Sequence, residues 1–301
     1  MKVGIDLGGS HIAIGVVDEN GRIIEKQERR ILDKEQQEIK TFIEEYIIKN
    51  IKEMSKKYKI TNIGIAIPGT VNKTSVIKSV NLNLENYNIV EALKKKINIP
   101  IKIKNDAKCA ALAENKYGSL KDYKRSIFIG LGTGIGGAVI VDNKLLDTGD
   151  LPGCEIGHMI IQKDGLECKC GKKGCFEKYA SMKAFKTNLR KELNLDETTR
   201  GEELLNILRN NNENNKNYKK IEKIVNDYIE YLSIGISNLI NIFEPEAIVI
   251  GGSFVYFEDV LLNRLYKKIN EGNLLFNKRD SLIIKLAVLG NDAGIIGASL
   301  L

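Results

Sequence analysis

Four side chains that can bind a metal ion lie close together in one short part of the sequence. The segment reads HMIIQKDGLECKCGKKGCFEK. Its candidate ligands are His158, Cys168, Cys170 and Cys175. Three thiolates and one imidazole form a donor set that surrounds Zn²⁺ tetrahedrally, and a set without an open position is typical of a structural site. The pattern therefore predicts a zinc ion that holds the shape of this loop.

A chance cluster and a disulfide are the alternatives to a metal site. The chain has 5 cysteines in 301 residues, so three of them in one short segment are not expected by chance. Gly171 and Gly174 can supply the turns that let a short loop enclose an ion. The odd number of cysteines and the lack of an apolar leader favour a reducing cytoplasm, where such spacing is typical of metal binding.

Two acidic residues flank the metal-binding segment. Glu155 precedes His158 by three residues, and Glu177 follows Cys175 by two. A bound metal ion would fix both carboxylates in space. We therefore expect the loop to present polar groups to a ligand.

Two glycine-rich turns are candidates for phosphate binding. The first reads DLGGS at residues 6–10, and the second reads GLGTGIGG at residues 130–137. Glycine lets backbone N–H groups approach phosphate oxygens, and the hydroxyls of Ser10 and Thr133 add donors. Glycine turns between strands are also common without a ligand, and neither turn matches the P-loop or the dinucleotide fingerprint. An acid beside such a turn, here Asp6, predicts a Mg²⁺ ion between the carboxylate and the phosphate.

Asp106 is the candidate catalytic base. It follows a predicted strand, opens a predicted helix and is preceded by Asn105, which can hydrogen-bond a ligand. An ordinary helix N-cap is the alternative role for Asp106. The two roles are compatible.

Size and charge restrict the class of protein. A chain of 301 residues that is 43% hydrophobic can form two cores, which predicts two lobes. The net charge of +7 comes from 46 Lys and Arg against 39 Asp and Glu. Because the bases are scattered along predicted helices with acids nearby, they indicate solvated faces and not a nucleic-acid surface. No apolar run approaches the ~20 residues that span a bilayer, so we expect no membrane segment.

Hydrophobic periodicity predicts alternating strands and helices. Short aliphatic runs predict strands at 2–7, 12–17, 22–31, 62–67, 101–104, 126–131, 137–141, 247–250 and 282–289. Helical spacing predicts helices at 33–58, 89–97, 107–117, 179–193, 201–209, 219–243, 257–269 and 293–301. Both halves open with strands around a glycine turn, which predicts a duplicated α/β lobe.

Taken in order along the chain, these motifs resemble those of the ROK family of bacterial sugar kinases and repressors. The motifs are residues 6–10, Asn105-Asp106, the GTGIGG turn, EIGH at 155–158, the cysteine segment 168–177 and Ile250-Gly251-Gly252. The resemblance implies an α/β, actin-like ATPase (ribonuclease-H-like) two-lobed fold with ATP and sugar in the cleft. It implies an N-terminal lobe over residues 1–117, completed by 290–301, and a C-terminal lobe over 118–289.

The family pattern also implies roles for individual residues. Asp106 would take the proton from a sugar hydroxyl, and His158 would bind both zinc and the sugar. The residues implied for sugar binding are Gly69, Asn81, Asn105, Asp106, Glu155, His158 and Glu177. The residues implied for ATP and Mg²⁺ are Asp6, Gly8, Gly9, Ser10, Thr133, Gly134, Gly251 and Gly252.

The chain departs from the family pattern at two places. The first glycine turn often reads Gly-Gly-Thr-Lys in the family, whereas here Ser10 keeps the hydroxyl and His11 replaces the fixed positive charge. The stretch after Pro68-Gly69 lacks a glycine that the family often has downstream. The identity of the sugar therefore stays open.

The resemblance implies an ATP-dependent hexose kinase of the glucokinase type, in the cytoplasm, as a homodimer or tetramer. A kinase for N-acetylmannosamine, fructose or allose is the alternative within the enzyme class. A sugar-responsive DNA-binding repressor is disfavoured, because the first strand begins at Lys2 and no helix-turn-helix fits before it. A sugar binder without catalysis is disfavoured by the presence of both Asp6 and Asp106.

Overall fold

The computed structural model describes residues 1–32, 35, 38–146, 153–271, 274–276 and 282–301. Within these residues the chain divides into two units. Unit 1 contains Met1–Tyr123, Ile140–Cys154 and Val288–Leu301, and unit 2 contains Lys124–Val139 and Glu155–Ala287. The functions expected of the two lobes stay predictions.

Strands and helices alternate as the periodicity predicts. The strands are β1 (Lys2–Leu7), β2 (His11–Val17), β3 (Ile23–Arg30), β4 (Asn62–Ile67), β5 (Thr70–Val71), β6 (Val76–Ser79), β7 (Leu84–Tyr87), β8 (Ile101–Asn105), β9 (Ser126–Leu131), β10 (Ile135–Val141), β11 (Lys144–Leu145), β12 (Ala247–Gly252) and β13 (Ile283–Leu286). The helices are α1 (Ile39–Lys57), α2 (Ile89–Lys94), α3 (Asp106–Tyr117), α4 (Glu177–Ala180), α5 (Met182–Glu192), α6 (Gly201–Arg209), α7 (Tyr218–Phe243), α8 (Glu258–Glu271) and α9 (Ala293–Ser299).

Unit 1 contains a five-stranded mixed sheet. Its strand order is β3-β2-β1-β4-β8. The first three strands pair antiparallel, and β1, β4 and β8 run parallel. Because β1 and β8 run in the same direction, their carboxyl ends lie at one edge of the sheet. Asp6 and Asp106 are both at that edge.

Helix α1 covers unit 1's apolar core with one face. Its buried residues are Ile39, Phe42, Ile43, Ile47, Ile51 and Met54. Their three- and four-residue spacing is the pattern that predicted the helix. Asp33, where the predicted helix starts, lies outside the described residues, and the described part ends at Lys57.

Helix α9 packs directly against the backbone of β1 and β4, because glycines leave room for it. A Cβ added to Gly4 would overlap the carbonyl oxygen of Ile295, and one added to Gly64 would overlap that of Ala298. On the helix itself, a Cβ on Gly297 would overlap the carbonyl of Cys109 in α3. These three glycines let the C-terminal helix lie against both the sheet and the helix that carries Asp106.

A small antiparallel sheet corrects one prediction. No strand is predicted between the strand 62–67 and the helix 89–97, but β5, β6 and β7 form a sheet in that order. Strands of two to four residues are too short to show a clear alternation. Asn83 and Asn86 have φ of +50° and +47°, a conformation that Asn adopts more readily than most residues.

The second five-stranded sheet has the order β11-β10-β9-β12-β13. Strands β9, β12 and β13 are parallel neighbours within unit 2. In the same unit, α7 buries one long apolar face. Among the described helices, none is long and apolar enough to cross a membrane.

The helix predicted at 179–193 is two helices in the structure. Ser181 has φ −70° and ψ 153°, an extended conformation that ends α4 and begins α5. Its hydroxyl oxygen accepts a hydrogen bond from the Ala184 N–H and so caps α5. Apolar periodicity does not reveal this break, because the buried residues on both sides keep helical spacing.

Candidate functional site

Two carboxylates lie together at the edge of unit 1's sheet. Asp6 belongs to β1, and Asp106 is the first residue of α3 after β8. Burial raises the pKa of Asp6 to about 7, with a further contribution from the negative charge of Asp106, while Lys26 opposes the shift. Burial also raises the pKa of Asp106, although the N–H of Ala107 donates to its Oδ1 at 2.8 Å. Asp106 is therefore a stronger base than a solvated aspartate.

The donor chemistry of this pair fits a divalent cation. Two nearby carboxylates disfavour each other's ionisation, and a bound cation removes that cost. Hard oxygen ligands are those that Mg²⁺ prefers. Asp6 is the carboxylate that would hold the ion, and a Cβ on Gly294 would lie 2.5 Å from its Oδ2, so no side chain fits there.

Asn105, and not Asp106, is the N-cap of α3. Its Oδ1 accepts from the N–H groups of Ala107 at 3.0 Å and Lys108 at 3.3 Å. Its Nδ2 donates to the carbonyl of Gly69 at 3.0 Å. Gly69 has φ +99°, and a Cβ there would overlap the Lys78 carbonyl. The structure thus brings Gly69 and Asn105 together and corrects the N-cap alternative considered for Asp106.

The first glycine turn is closed by backbone hydrogen bonds. Gly8 N–H donates to the His11 carbonyl at 2.8 Å, and Ile31 N–H donates to the Ser10 carbonyl at 2.8 Å. A Cβ on Gly9 would lie 3.0 Å from the Cβ of Asn81. Gly9 therefore lies beside Asn81, which is predicted to contact the sugar.

The second glycine turn belongs to unit 2 and packs against Glu177 of the metal segment. Gly132 N–H donates to the Gly134 carbonyl at 3.0 Å. A Cβ on Gly134 would lie 2.5 Å from Oε2 of Glu177. Thr133, between the two glycines, is exposed. The structure therefore places Gly134 next to Glu177.

The end of β12 also reaches the second turn. Gly251 is in register with Gly130, and Gly252 with Leu131. Gly252 has φ +74°, and a Cβ there would overlap the Leu131 carbonyl. A side chain at Gly252 would be strained for both reasons, so glycine is required where the strand meets the turn.

The four predicted metal ligands converge. The ligand atoms of His158, Cys168, Cys170 and Cys175 all lie within 4.8 Å of one another. Cys168 Sγ is 3.7 Å from His158 Nδ1, and the Sγ atoms of Cys170 and Cys175 are 3.5 Å apart. A tetrahedral zinc with Zn–S bonds of about 2.3 Å has sulfur–sulfur edges of about 3.8 Å. The donor set and its spacing therefore fit a zinc ion.

Backbone geometry holds the cysteines in place. Cys168 N–H donates to the Lys172 carbonyl at 2.8 Å, and Phe176 N–H donates to Met159 at 2.8 Å. Gly171 and Gly174 have φ of +88° and +80°, as the predicted turns require. Burial raises the pKa of the Cys168 thiol to about 12, so a metal ion must displace this proton when it binds.

Glu177 and Glu155 lie on either side of the metal cluster in sequence, but their surroundings differ. Glu177 Oε1 is 3.3 Å from Cys168 Sγ and 3.9 Å from His158 Nδ1. Glu155 is exposed, and its carbonyl accepts from the His158 N–H at 3.0 Å where a 3-10 turn begins. Because Nδ1 of His158 faces the cysteines, Nε2 is the ring nitrogen left for another partner.

Lys186 lies beside the end of β12 but belongs to none of the predicted motifs. Its Nζ lies 3.5 Å from Ser253 Oγ, directly after Gly252, and 5.3 Å from the centre of the Phe257 ring. Nothing in the sequence distinguishes this lysine from the other basic residues of the chain, because its position depends on the packing of α5 against the end of β12.

The predicted residues fall into two groups. Unit 1 contains Asp6, Gly8, Gly9, Ser10, Gly69, Asn81, Asn105 and Asp106. Unit 2 contains Thr133, Gly134, Glu155, His158, Cys168, Cys170, Cys175, Glu177, Gly251 and Gly252. The first group provides carboxylates at a sheet edge, and the second provides a metal cluster and glycine turns.

Comparison with known proteins covers nearly the whole chain. Residues 2–301 match the model of the ROK family. A glucokinase of Streptomyces coelicolor is 30% identical over 311 residues, which cover 99% of this chain and 96% of that protein. A xylose repressor of Bacillus subtilis is 28% identical and covers 99% of this chain and 76% of the repressor.

A solved structure agrees with the sequence matches. The ROK family glucokinase from Streptomyces griseus, in complex with glucose and AMPPNP, has a TM-score of 0.80 and 25% identity, and the match covers 99% of this chain and 97% of that one. The mixed α/β architecture is therefore the predicted actin-like ATPase fold. The relatives include both kinases and repressors.

Proposed function

This chain belongs to the ROK family, and we propose that it is an ATP-dependent hexose kinase that phosphorylates glucose at the 6-hydroxyl. The observation that carries the proposal is the pair Asp6 and Asp106. A catalytic base and a metal-binding carboxylate are what phosphoryl transfer needs from a protein beyond alignment of its substrates.

Asp106 is the proposed catalytic base. The sugar hydroxyl oxygen attacks the γ-phosphorus of ATP, and an O–P bond forms as the bond to the β,γ-bridging oxygen breaks. The hydroxyl proton passes to Asp106, and ADP leaves. Burial raises the pKa of Asp106, which makes its carboxylate a better proton acceptor. Asp6 would hold Mg²⁺, which supplies charge neutralisation for the phosphates.

The proposed nucleotide contacts come from glycine turns. Gly8, Gly9 and Ser10 of unit 1, and Thr133 and Gly134 of unit 2, offer N–H and hydroxyl donors to phosphate oxygens. Gly251 and Gly252 would border the adenosine. Support comes from the S. griseus glucokinase, whose solved structure contains AMPPNP.

Sugar hydroxyls are the proposed partners of the remaining polar groups. In unit 1 these are Asn81, Asn105, Asp106 and the backbone of Gly69. In unit 2 they are Glu155, His158 and Glu177. Nδ1 of His158 faces the cysteine cluster, so Nε2 is the nitrogen proposed to contact the sugar. Zinc would act structurally by fixing the orientation of His158 and its loop.

A panel assay tests the proposal. Purified protein is incubated with ATP, Mg²⁺ and glucose, mannose, fructose, allose or N-acetylmannosamine, and sugar-dependent ADP release is measured. We expect the highest kcat/KM with glucose. A higher kcat/KM with another sugar would assign that sugar as the substrate and would still support a sugar kinase.

Similarity to a xylose repressor provides the competing outcome. If calorimetry shows sugar binding but no sugar stimulates ADP release from ATP, the result would support a non-catalytic regulator and refute the kinase.

The cytoplasmic location and the dimer or tetramer stay predictions. Size-exclusion chromatography with light scattering tests the oligomeric state.

A further inference from the structure

Lys186 is a half-buried cation on α5 of unit 2. Its ammonium group lies 3.5 Å from the Ser253 hydroxyl and 5.3 Å from the centre of the Phe257 ring. A Cβ on Gly201, where α6 begins, would lie 3.4 Å from the ammonium nitrogen. The group is therefore held by a hydroxyl, an aromatic ring and the start of a helix.

No carboxylate balances this charge among the residues that the structure describes. Burial lowers the pKa of Lys186, and the positive charge of Arg190 one turn later lowers it further. The Arg190 guanidinium donates to the Thr199 carbonyl at 3.0 and 2.7 Å. Its partner is therefore a neutral group, and no carboxylate is brought close to Lys186 by this contact. The N-terminus of α6 adds a positive partial charge. Glu202 and Glu203 in its first turn are exposed, and neither forms an ion pair with Lys186.

Half-buried ammonium groups are usually paired, because desolvation disfavours an isolated charge. A cation–π contact recovers only part of that cost. A half-buried cation without a paired carboxylate is therefore expected to have an anionic partner from outside the chain.

The position of Lys186 identifies that partner. The backbone N–H of Lys183 on the same helix donates to the Gly132 carbonyl at 3.1 Å, which joins α5 to the second glycine turn. Ser253 directly follows Gly252 at the end of β12. Lys186 therefore lies between the turn proposed to bind phosphates and the strand end proposed to border adenosine.

We propose that Lys186 binds the phosphate chain of the nucleotide donor. This inference rests on the proposed function and adds a residue that no glycine motif predicts. The ammonium group supplies the positive charge near the nucleotide that the neutral glycine turns lack. Ser253 and Phe257 position that ammonium group and do not contact the nucleotide themselves.

Calorimetric titration of the purified, zinc-loaded protein tests the proposal. The probes are ADP, inorganic tripolyphosphate and adenosine, each applied to wild type, Lys186→Met and Lys186→Arg. Loss of one charge-assisted contact predicts about 10- to 100-fold weaker binding of ADP and tripolyphosphate to Lys186→Met. Adenosine affinity should not change, and Lys186→Arg should restore most of the ADP affinity.

The matched control is Lys191→Met, which removes the same charge from an exposed position on α5. It should leave every affinity unchanged. In turnover assays, Lys186→Met should raise KM for ATP about as much as it weakens ADP binding, with KM for the sugar unchanged. If Lys186→Met does not fold, Lys186→Gln is measured in the same way.

The outcomes separate the two proposals. Equal ADP affinity in wild type and Lys186→Met would overturn the role of Lys186. So would a loss of adenosine affinity as large as that of ADP, which would assign the contact to the nucleoside. If Lys186→Met weakens the binding of ADP and tripolyphosphate but not of adenosine, and the wild-type protein phosphorylates no sugar, the role of Lys186 in phosphate binding is supported and the kinase activity is refuted.

Discussion

Unit 1 and unit 2 position their functional groups by different physical means. In unit 1, Asp6 and Asp106 lie at strand ends and are fixed by the hydrogen-bonded register of β1, β4 and β8. In unit 2, His158 and the three cysteines lie outside the five-stranded sheet, in a segment with only isolated bridges between Ile160 and Cys175 and between Glu167 and Lys173. A sheet edge can position a base without a ligand, whereas a loop of this kind depends on its metal.

The two sheets themselves are alike. Strand orders β3-β2-β1-β4-β8 and β11-β10-β9-β12-β13 both place a hairpin on one side of a central strand and parallel strands on the other. The difference between the units is therefore in the segments added to a common plan. Chemistry that depends on the sheet should survive loss of zinc, and binding that depends on the loop should not.

The largest effect is expected at the base. Asp106→Asn removes the proton acceptor and should lower kcat by about 10²- to 10⁴-fold, with zinc content unchanged. Asp142→Asn is the control, because Asp142 is exposed in a turn at φ +51°, which Asn tolerates. Steady-state ADP release measures the activity of both variants. Full activity in Asp106→Asn would show that Asp106 is not the catalytic base.

The next largest effect is expected on stability, where α9 packs against β4. An alanine Cβ at Gly64 would overlap the Ala298 carbonyl, so Gly64→Ala should lower the free energy of unfolding by about 2–4 kcal/mol. At Gly130 a Cβ would meet its nearest atom at an ordinary 3.5 Å, so Gly130→Ala should change stability by less than about 1 kcal/mol. Urea unfolding compares them, and equal stabilities would contradict the close approach of α9.

Loss of the metal should affect unit 2 and sugar binding. Cys170→Ser should abolish zinc binding, measured by inductively coupled plasma mass spectrometry, and weaken sugar binding about 10- to 100-fold. Cys154→Ser is the control, because Cys154 lies outside the cluster. Wild-type zinc content with weakened sugar binding in Cys170→Ser, or zinc loss with unchanged sugar binding, would show that sugar binding does not depend on the zinc ion.

The smallest effect concerns the pH dependence of stability. The folded pKa of Asp6, about 7, lies above the usual aspartate value of 3.8. The unfolded chain therefore loses this proton first, and the folded state is destabilised as pH rises from about 4 to about 7. Asp6→Asn removes this cost and should be more stable than wild type by about 1–3 kcal/mol at pH 8 and by less at pH 5. Urea unfolding without Mg²⁺ measures the stability difference between Asp6→Asn and wild type at the two pH values. An equal difference at both pH values would contradict the raised pKa of Asp6.

Regular elements and the metal cluster could be predicted because their signals are local. Strands β4 and β9 match the predicted bounds 62–67 and 126–131, since runs of buried aliphatic residues end at turn residues. The four zinc ligands are close in sequence, so their convergence in space follows from one loop.

Features that depend on tertiary packing could not be predicted. The short strands β5 to β7 have too few residues for a pattern, and the break at Ser181 depends on one backbone conformation. The hydrogen bond from Asn105 to the Gly69 carbonyl and the unbalanced charge of Lys186 appear only when distant segments are packed. Asp6 and Asp106 are 100 positions apart in the sequence, and parallel strands bring them to one edge.

The most direct test of the kinase is the identity of its product. Wild-type protein is incubated with ATP, Mg²⁺ and glucose, and the phosphorus is followed by ³¹P NMR. The account predicts a phosphomonoester resonance of a sugar phosphate that grows in step with ADP, and no such resonance on the same timescale with Asp106→Asn. Unchanged ATP, or release of inorganic phosphate alone, would contradict phosphoryl transfer to the sugar.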